Sequence, residues 1–499
     1  MNLAESGIRL QPSTMTGLPD EIGRPNYTRT ECKIGIVHIG VGAFHRGHQA
    51  WYTDTVLNAN GGDWSILGVS LRSDRAQQQL RPQAGLYTLV QRNGETVTKQ
   101  IIGAIQDVLC APQDTHKILE AIAAADTKII SLTITEKGYG YDPATGGLGV
   151  AQSDIAADLE TFRDQPHTQQ PESALGFLIA GLQRRRATSN SGLTLLSCDN
   201  LSNNGDTLKA VVTDFARRVD PQLSSWILSH VSFPNSVVDR MVPAITASDL
   251  AALTRESGLK DPAAVFTETF SQWIIEDRFI AGRPEWELAG AVFVSNAKPF
   301  EQAKLRLLNG SHSLIAYLGQ LSGYQHVHEV VSDKLFAELL ERFMEEVVPE
   351  LQMPEGFDLH KYQRQLLRRF ANPALKHRTA QIAEDGSQKI RQRWLETVRP
   401  GPAEAFSAHA LALAGWAKFL EQSRDNGETY LITDPLADEL LQVLARHETA
   451  PIGELLNSIG LQHITSQLTE FLALADGYLK QLQKQGSQAT IKAFLAETL

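Results

Sequence analysis

Apolar residues along this chain follow two different patterns. Over residues 33–40 (KIGIVHIG) they form a short β-rich run, as a strand buried on both faces requires. Similar runs lie at 65–71, 86–90, 128–134 and 193–197, with helical stretches between several of them, notably 115–125 and 174–186. Residues 44–57, just past Gly42, can form a helix. Strands alternating with helices predict a parallel sheet covered on both faces. From Glu301 onward nearly every segment has helical periodicity instead, including 334–348, 403–422 and 464–485. Residues 435–446 read the same way, with Asp434 as N-cap and Pro435 at the first helical position. No strand-rich stretch of comparable strength follows residues 292–294, and the opening segment, with Pro12, Pro19 and Pro25, reads as an irregular lead-in. The pattern predicts an α/β domain over 1–284 and a mostly α-helical domain over 285–499, divided near Gly282 and Pro284.

Length and charge narrow the classes. A chain of 499 residues exceeds one ordinary core, which agrees with two domains. Lys and Arg number 46 against 57 Asp and Glu, a net charge of -11 that disfavours nucleic acid or an anionic membrane as partner. A few local cations still allow an anionic small-molecule substrate. Cys32, Cys110 and Cys198 form no CxxC pair, so neither a zinc site nor a disulfide framework is expected. No apolar run suits a signal peptide or a membrane span, and a cytoplasmic location is expected.

The run at 33–40 leads into Gly40-Val41-Gly42-Ala43-Phe44-His45, between an expected strand and an expected helix. Two glycines there permit a tight turn and close backbone approach to a pyrophosphate, which makes the first domain Rossmann-like. His45 replaces the third glycine of the usual fingerprint, so the motif alone is weak. Gly40, Gly42, Phe44, His45 and Arg46 form the candidate cofactor set. Asp74, after the next strand, can accept from ribose hydroxyls and would repel a 2′-phosphate, favouring NAD over NADP. Arg72 and Arg75 flank it and leave a phosphate open.

The richest chemistry lies in EQAKLRLLNGSH, residues 301–312. At about 100° per residue, with Lys304 at 0°, Glu301 falls near +60°, His312 near +80° and Asn309 near +140°. Leu308 and Leu305 share that arc, and Gly310 distorts the turn. A lysine in such a mixed surround can act as a general base, and an Asn amide can donate to an oxygen becoming an alkoxide. Metal-free alcohol oxidation is one reading; a packed helix whose polar groups reach past the leucines to water is the other. No tyrosine has a lysine four residues on, and the close histidine pairs, His45 with His48 and His326 with His328, suit packing better than metal ligation.

Five segments in order resemble the long-chain mannitol dehydrogenase family of polyol and hexuronate oxidoreductases: 35–54 (GIVHIGVGAFHRGHQAWYTD), 131–139 (SLTITEKGY), 197–205 (SCDNLSNNG), 233–243 (FPNSVVDRMVP) and 304–312 (KLRLLNGSH). The resemblance implies that Lys304 is the general base, and that Asn309 and Asn200 polarise the carbonyl and hold the alkoxide. It further implies that His312 positions substrate hydroxyls, Asp239 lines the site and Glu301 gates proton exit. Met241 stands where the family usually has Ile or Val, a mild swap. Many relatives act as monomers, and a monomer is possible here.

The same family holds mannitol and arabinitol dehydrogenases and reductases of fructuronate and tagaturonate. Residues 372–389 (NPALKHRTAQIAEDGSQK) resemble the fructuronate reductase branch, as does Lys137 within TEKGY. Gln381 stands where polyol-specific relatives carry arginine, while Lys389 matches a substrate-contacting lysine. Lys376, His377 and Arg378 would then neutralise a substrate carboxylate; the alternative is that these charges point to water. The expectation is an NAD-dependent interconversion of D-mannonate and D-fructuronate. A polyol dehydrogenase, a tagaturonate reductase and a non-catalytic NAD-binding sensor are the rivals, though the base-and-amide set is intact.

Overall fold

A computed structural model describes residues 7–94, 96–165, 170–374, 376–446 and 450–497. It comprises two compact units, Met1–Lys298 and Pro299–Leu499.

In the first unit six strands form one sheet in the spatial order Val231–Ser232, Leu193–Ser197, Ile129–Leu132, Ile34–Ile39, Ser65–Ser70, Ile105–Cys110. Every neighbouring pair is parallel. Counted along the chain the order is 6-5-4-1-2-3, the doubly wound Rossmann arrangement. Alternate side chains serve opposite faces. Val37, Ile39, Leu67, Val69, Ile130 and Leu132 enter a core with the helices Ala111–Ala123 and Ala174–Thr188. Ile36, Ile66, Val108 and Ile129 enter another with the helix Gln49–Asn60. Burial on both faces is why these strands read as apolar runs without polar alternation.

Several expectations change. The run at 86–90 is a strand, Tyr87–Asn93, but it lies outside the parallel sheet and pairs antiparallel with Thr96–Ile102 in a second, four-stranded sheet. The third parallel strand is Ile105–Cys110, an edge strand in which Gln106 and Asp107 interrupt the apolar pattern. The helix expected over 44–57 breaks at His48 (φ −123°, ψ −97°) into Ala43–Gly47 and Gln49–Asn60. The lead-in is tied down, Ile8–Arg9 pairing with Leu259–Lys260 and Ile22–Gly23 with Lys99–Gln100.

The division falls at Lys298/Pro299, not near residue 284. Val292–Val294 pairs in parallel with Gln272–Glu276, and Phe279 packs on Trp286 and Phe293, so the chain past Pro284 completes the first unit.

Helices build the second unit, and among its described residues there is no named strand. Gly310–Leu321 and Ser407–Phe419 are buried nearly all round and cross closely: a Cβ on Gly415 would lie 2.7 Å from Leu318 Cδ2. Lys334–Val347 buries one apolar face, its first turn capped where the Leu335 amide donates to the Asp333 carboxylate at 2.9 Å. The long stretches expected over 403–422 and 464–485 are shorter, Ser407–Phe419 and Thr469–Gln485, each preceded by a separate turn. The helix expected at Pro435 begins at Ala437. The Asp434 carboxylate accepts from the Leu436 amide at 3.0 Å and also from Ser387. No described helix is long and apolar enough to cross a membrane.

Candidate active site

In an open parallel sheet, ligands bind beyond the strand ends where the order reverses. Here that place lies between Ile34–Ile39 and Ile129–Leu132, the first and fourth strands. Gly40 ends the first strand with φ +102°, and a Cβ there would sit 2.1 Å from the Thr133 carbonyl oxygen. Glycine is therefore dictated twice, by backbone and by space. Gly42 differs: it has no positive φ, and a Cβ would meet only the Gly40 carbonyl, at 3.8 Å. The protein leaves that side open, as a pyrophosphate approaching the backbone requires.

The rest of the expected nucleotide set divides. Phe44 is half-buried, whereas His45 and Arg46 turn inward. The His45 ring stacks on His38 at 3.4 Å between centroids. Arg46 donates to the carbonyls of Ala263 (2.5 Å) and Gly42 (3.3 Å), so its charge is used within the unit. Asp74 follows the second strand and accepts from the Gln78 amide at 2.7 Å. Arg72 is held by Asp154 at 2.9 Å, which occupies one of the two cations that left a 2′-phosphate open.

Side-chain hydrogen bonds knit the motifs of this unit together. Asp199 accepts from the Ile134 and Thr135 amides (2.8 and 3.0 Å) and from the Tyr139 hydroxyl (2.7 Å). The TEKGY segment is thus fastened to the CDN segment at the switch point, while burial raises the Asp199 pKa. Asn204 donates to Ser197 and Ser236 carbonyls, and Asn235 accepts from the Gly205 and Asp206 amides. These bonds fix the loop carrying exposed Asn200 and the strand Ser236–Asp239 that ends in buried Asp239.

In the second unit the chemistry sits on an irregular helix. Lys298–Ala303 carries Glu301; Lys304–Asn309 is a π-helix; Gly310–Leu321 resumes the α-helix with His312. Lys304 and Asn309 are buried, and neither Asn309 Nδ2 nor His312 Nε2 has a hydrogen-bond partner among the described residues. Buried polar atoms left without a partner can be satisfied by a ligand or by water. The His312 ring lies 4.8 Å from Phe370 and 5.2 Å from His377, centroid to centroid. Burial, then the charges of His377, Arg369 and Arg393, push its pKa well below the usual histidine range. Burial also pushes His377 down to about 4. Both rings are neutral near pH 7.

Of the three residues expected to hold a carboxylate, the structure brings His377 to His312 and leaves Lys376 and Arg378 exposed. Lys389 is half-buried, its ammonium donating to the Glu384 carbonyl at 2.5 Å; burial, then Arg393, lowers its pKa. The cations whose charge reaches His312 are Arg369 and Arg393, which the motif reading did not select. Their signal was present in the basic density of 360–378 and in the QRW segment at 392–394, but neither shows in sequence which way an arginine faces. Among the described residues no three His, Cys, Asp or Glu side chains are grouped as metal ligands.

Residues 34–288 match the mannitol dehydrogenase Rossmann domain, and residues 296–492 the mannitol dehydrogenase C-terminal domain. The chain belongs to the mannitol dehydrogenase family. It is an oxidoreductase acting on a CH–OH group, and its Rossmann-type first unit and helical second unit correspond to the two matched domains. It is 39% identical over 483 residues to a D-mannonate oxidoreductase of Escherichia coli, covering 95% of this chain and 98% of the relative. It is 44% identical over 433 residues to an uncharacterized oxidoreductase of the same organism (86% and 87% covered). A mannitol 2-dehydrogenase of Phaeosphaeria nodorum is 36% identical over 512 residues (99% and 88% covered). Among solved structures, the ternary complex of Pseudomonas fluorescens mannitol 2-dehydrogenase with NAD and D-mannitol superposes with TM-score 0.83 at 35% identity, covering 98% of this chain and 100% of that one.

Proposed function

We propose that this family member is an NAD-dependent fructuronate reductase, interconverting D-mannonate and D-fructuronate. The observation that carries the substrate reading is the 39% identity to a D-mannonate oxidoreductase over nearly both whole chains. Arg369 and Arg393, whose charges add to burial and His377 in lowering the His312 pKa, are cations of the kind a substrate carboxylate pairs with. A polyol substrate is the second reading, favoured by mannitol 2-dehydrogenase relatives of comparable identity and by the exposure of Lys376 and Arg378.

Gly40, Gly42 and Phe44 hold the nucleotide against the sheet, and Asp74 accepts from its ribose. Bound NAD supplies the hydride acceptor. In the oxidation direction Lys304 accepts the proton of the substrate hydroxyl as the carbon loses its hydride. Asn309 Nδ2, without a partner among the described residues, donates to the oxygen as negative charge develops on it. The family resemblance gives Asn200 the same duty, and Glu301 the task of passing on the proton that Lys304 takes. His312, neutral and with Nε2 unpaired, orients a neighbouring hydroxyl. His377 and Lys389 complete the substrate surround in the second unit, and for Asp239 of the first unit a lining role is what the family resemblance implies.

Two measurements test this. Lys304→Ala should reduce turnover by several decades while NADH binding, followed by fluorescence, persists; near-normal turnover would remove the lysine from the mechanism. NADH oxidation with D-fructuronate, D-tagaturonate and D-fructose at matched concentration should favour fructuronate, and a preference for fructose would establish the polyol reading.

A further inference from the structure

A lysine and an asparagine five positions apart lie about 140° from one another on an α-helix, too far round to serve one substrate oxygen. The chain does not keep that register. Over Lys304–Asn309 it is π-helical, and the Gly310 amide donates to the Leu305 carbonyl five residues back. An i→i+5 repeat brings residues five apart towards a single line, so Lys304 and Asn309 come to share a face. A π turn is rare and needs outside support. That support comes from a second π segment, Arg391–Leu395, packed against the first.

Three contacts cross the seam where the π turn gives way to the α-helix. Arg393 Nη1 donates to the Asn309 carbonyl at 3.4 Å and to Ser313 Oγ at 2.8 Å. Trp394 Nε1 donates to the Gly310 carbonyl at 3.0 Å. Gly310 admits this approach because it has no side chain: a Cβ there would lie 2.9 Å from the Arg393 carbonyl oxygen. The Trp394 ring is almost fully buried and stands edge-on to Tyr317, which fixes the direction of its N–H.

We propose that Arg393 and Trp394 are positioning residues that hold the π register of Lys304–Asn309, and thereby hold Lys304 and Asn309 on one face. The proposal rests on the reading of Lys304 as base and Asn309 as oxygen donor. Neither Arg393 nor Trp394 needs to touch the substrate oxygen. The pair acts through backbone carbonyls, so its loss misplaces the base without removing it.

The test uses the full-length enzyme. Trp394→Phe keeps the aromatic packing and deletes the N–H; Arg393→Lys and Ser313→Ala weaken the neighbouring contact. A misplacement near 1 Å costs about a hundredfold, so kcat of Trp394→Phe should fall about tenfold to a hundredfold. NADH affinity should be unchanged, the pH profile of kcat should shift, and amide exchange across 305–310 should quicken. A merely structural tryptophan would lower the melting temperature and leave the pH profile and local exchange as they were; that result overturns the proposal. Lys304→Ala, measured alongside, separates the two ideas. If it stays active, the base reading falls, and the exchange data alone decide whether the register is latched. Should Trp394→Phe fail to fold, wild-type kcat and exchange in both Arg393→Lys and Ser313→Ala would overturn the latch.

Discussion

Histidines in this protein are tuned by what surrounds them. His38 is wholly buried, with Nδ1 2.8 Å from Ser131 Oγ and Nε2 2.9 Å from Thr133 Oγ1, and burial takes its pKa down to about 3. His377 reaches about 4 for the same reason. Because a free histidine titrates near 6.5, the unfolded chain takes up the proton first. The stability His377 contributes is fully present above about pH 6.5 and is lost as pH falls towards its native value. His377→Gln has no such group. The stability of the wild type relative to this variant should therefore decline between pH 7 and 4 in paired thermal melts, and a constant difference would mean His377 is not held neutral. Asn309 gives a sharper test of chemistry. Its Nδ2 is buried without a partner among the described residues, five positions along from the proposed base Lys304, so Asn309→Ala should lower kcat by about 10²- to 10³-fold, the loss typical of an oxyanion donor, with an unchanged melting temperature. A tenfold effect or less would place the principal donor elsewhere.

Between strand and helix, two glycines separate folding from binding. Gly40→Ala puts a methyl group 2.1 Å from the Thr133 oxygen at φ +102°, so it should destabilise the first unit by about 1–3 kcal/mol and weaken nucleotide binding with it. Gly42→Ala finds open space and should melt like the wild type, yet bind NADH less tightly by fluorescence titration. Equal loss of stability in both variants would refute the division. The sequence announced this turn because strands buried on both faces are written as predominantly apolar runs without a regular polar alternation, and Ile34–Ile39, Ile129–Leu132 and Leu193–Ser197 were legible for that reason. Ile105–Cys110 was not, since this edge strand places Asp107 opposite Leu67 and carries Gln106 in an irregularity beside it, which breaks the apolar run. Tyr87–Asn93 showed as a strand, but its removal to another sheet depends on pairing with Thr96–Ile102, which periodicity does not encode. The motif residues of the candidate site were legible as residues. The π register at Lys304–Asn309 was not, because its supports, Arg393 and Trp394, lie far along the chain.

At the scale of the whole chain, the apolar cores respect the division between the units. The core of the second unit draws on residues from Ala303 to Leu495, and the four clusters of the first unit on residues from Leu10 to Ala291. Each unit is well above the size at which a chain of its own can bury a sufficient core, since even domains of about 60 residues fold alone. Residues 299–499, expressed by themselves, should therefore melt cooperatively with a helical circular dichroism spectrum and a near-ultraviolet signal from buried Trp394 and Trp416. The proposed nucleotide site gives the two fragments different responses to ligand. NADH at a hundred times its dissociation constant stabilises a binding-competent fold by about 2.7 kcal/mol. That gain should appear in a fragment of residues 1–298, where Gly40, Gly42 and Asp74 reside, and be absent from residues 299–499. An upward shift confined to the helical fragment would move the nucleotide away from the sheet's switch point and undo the assignment of Gly42. A shift in the first fragment alone would leave the second unit the task its own residues suggest, holding Lys304, Asn309 and His312 in register for the substrate.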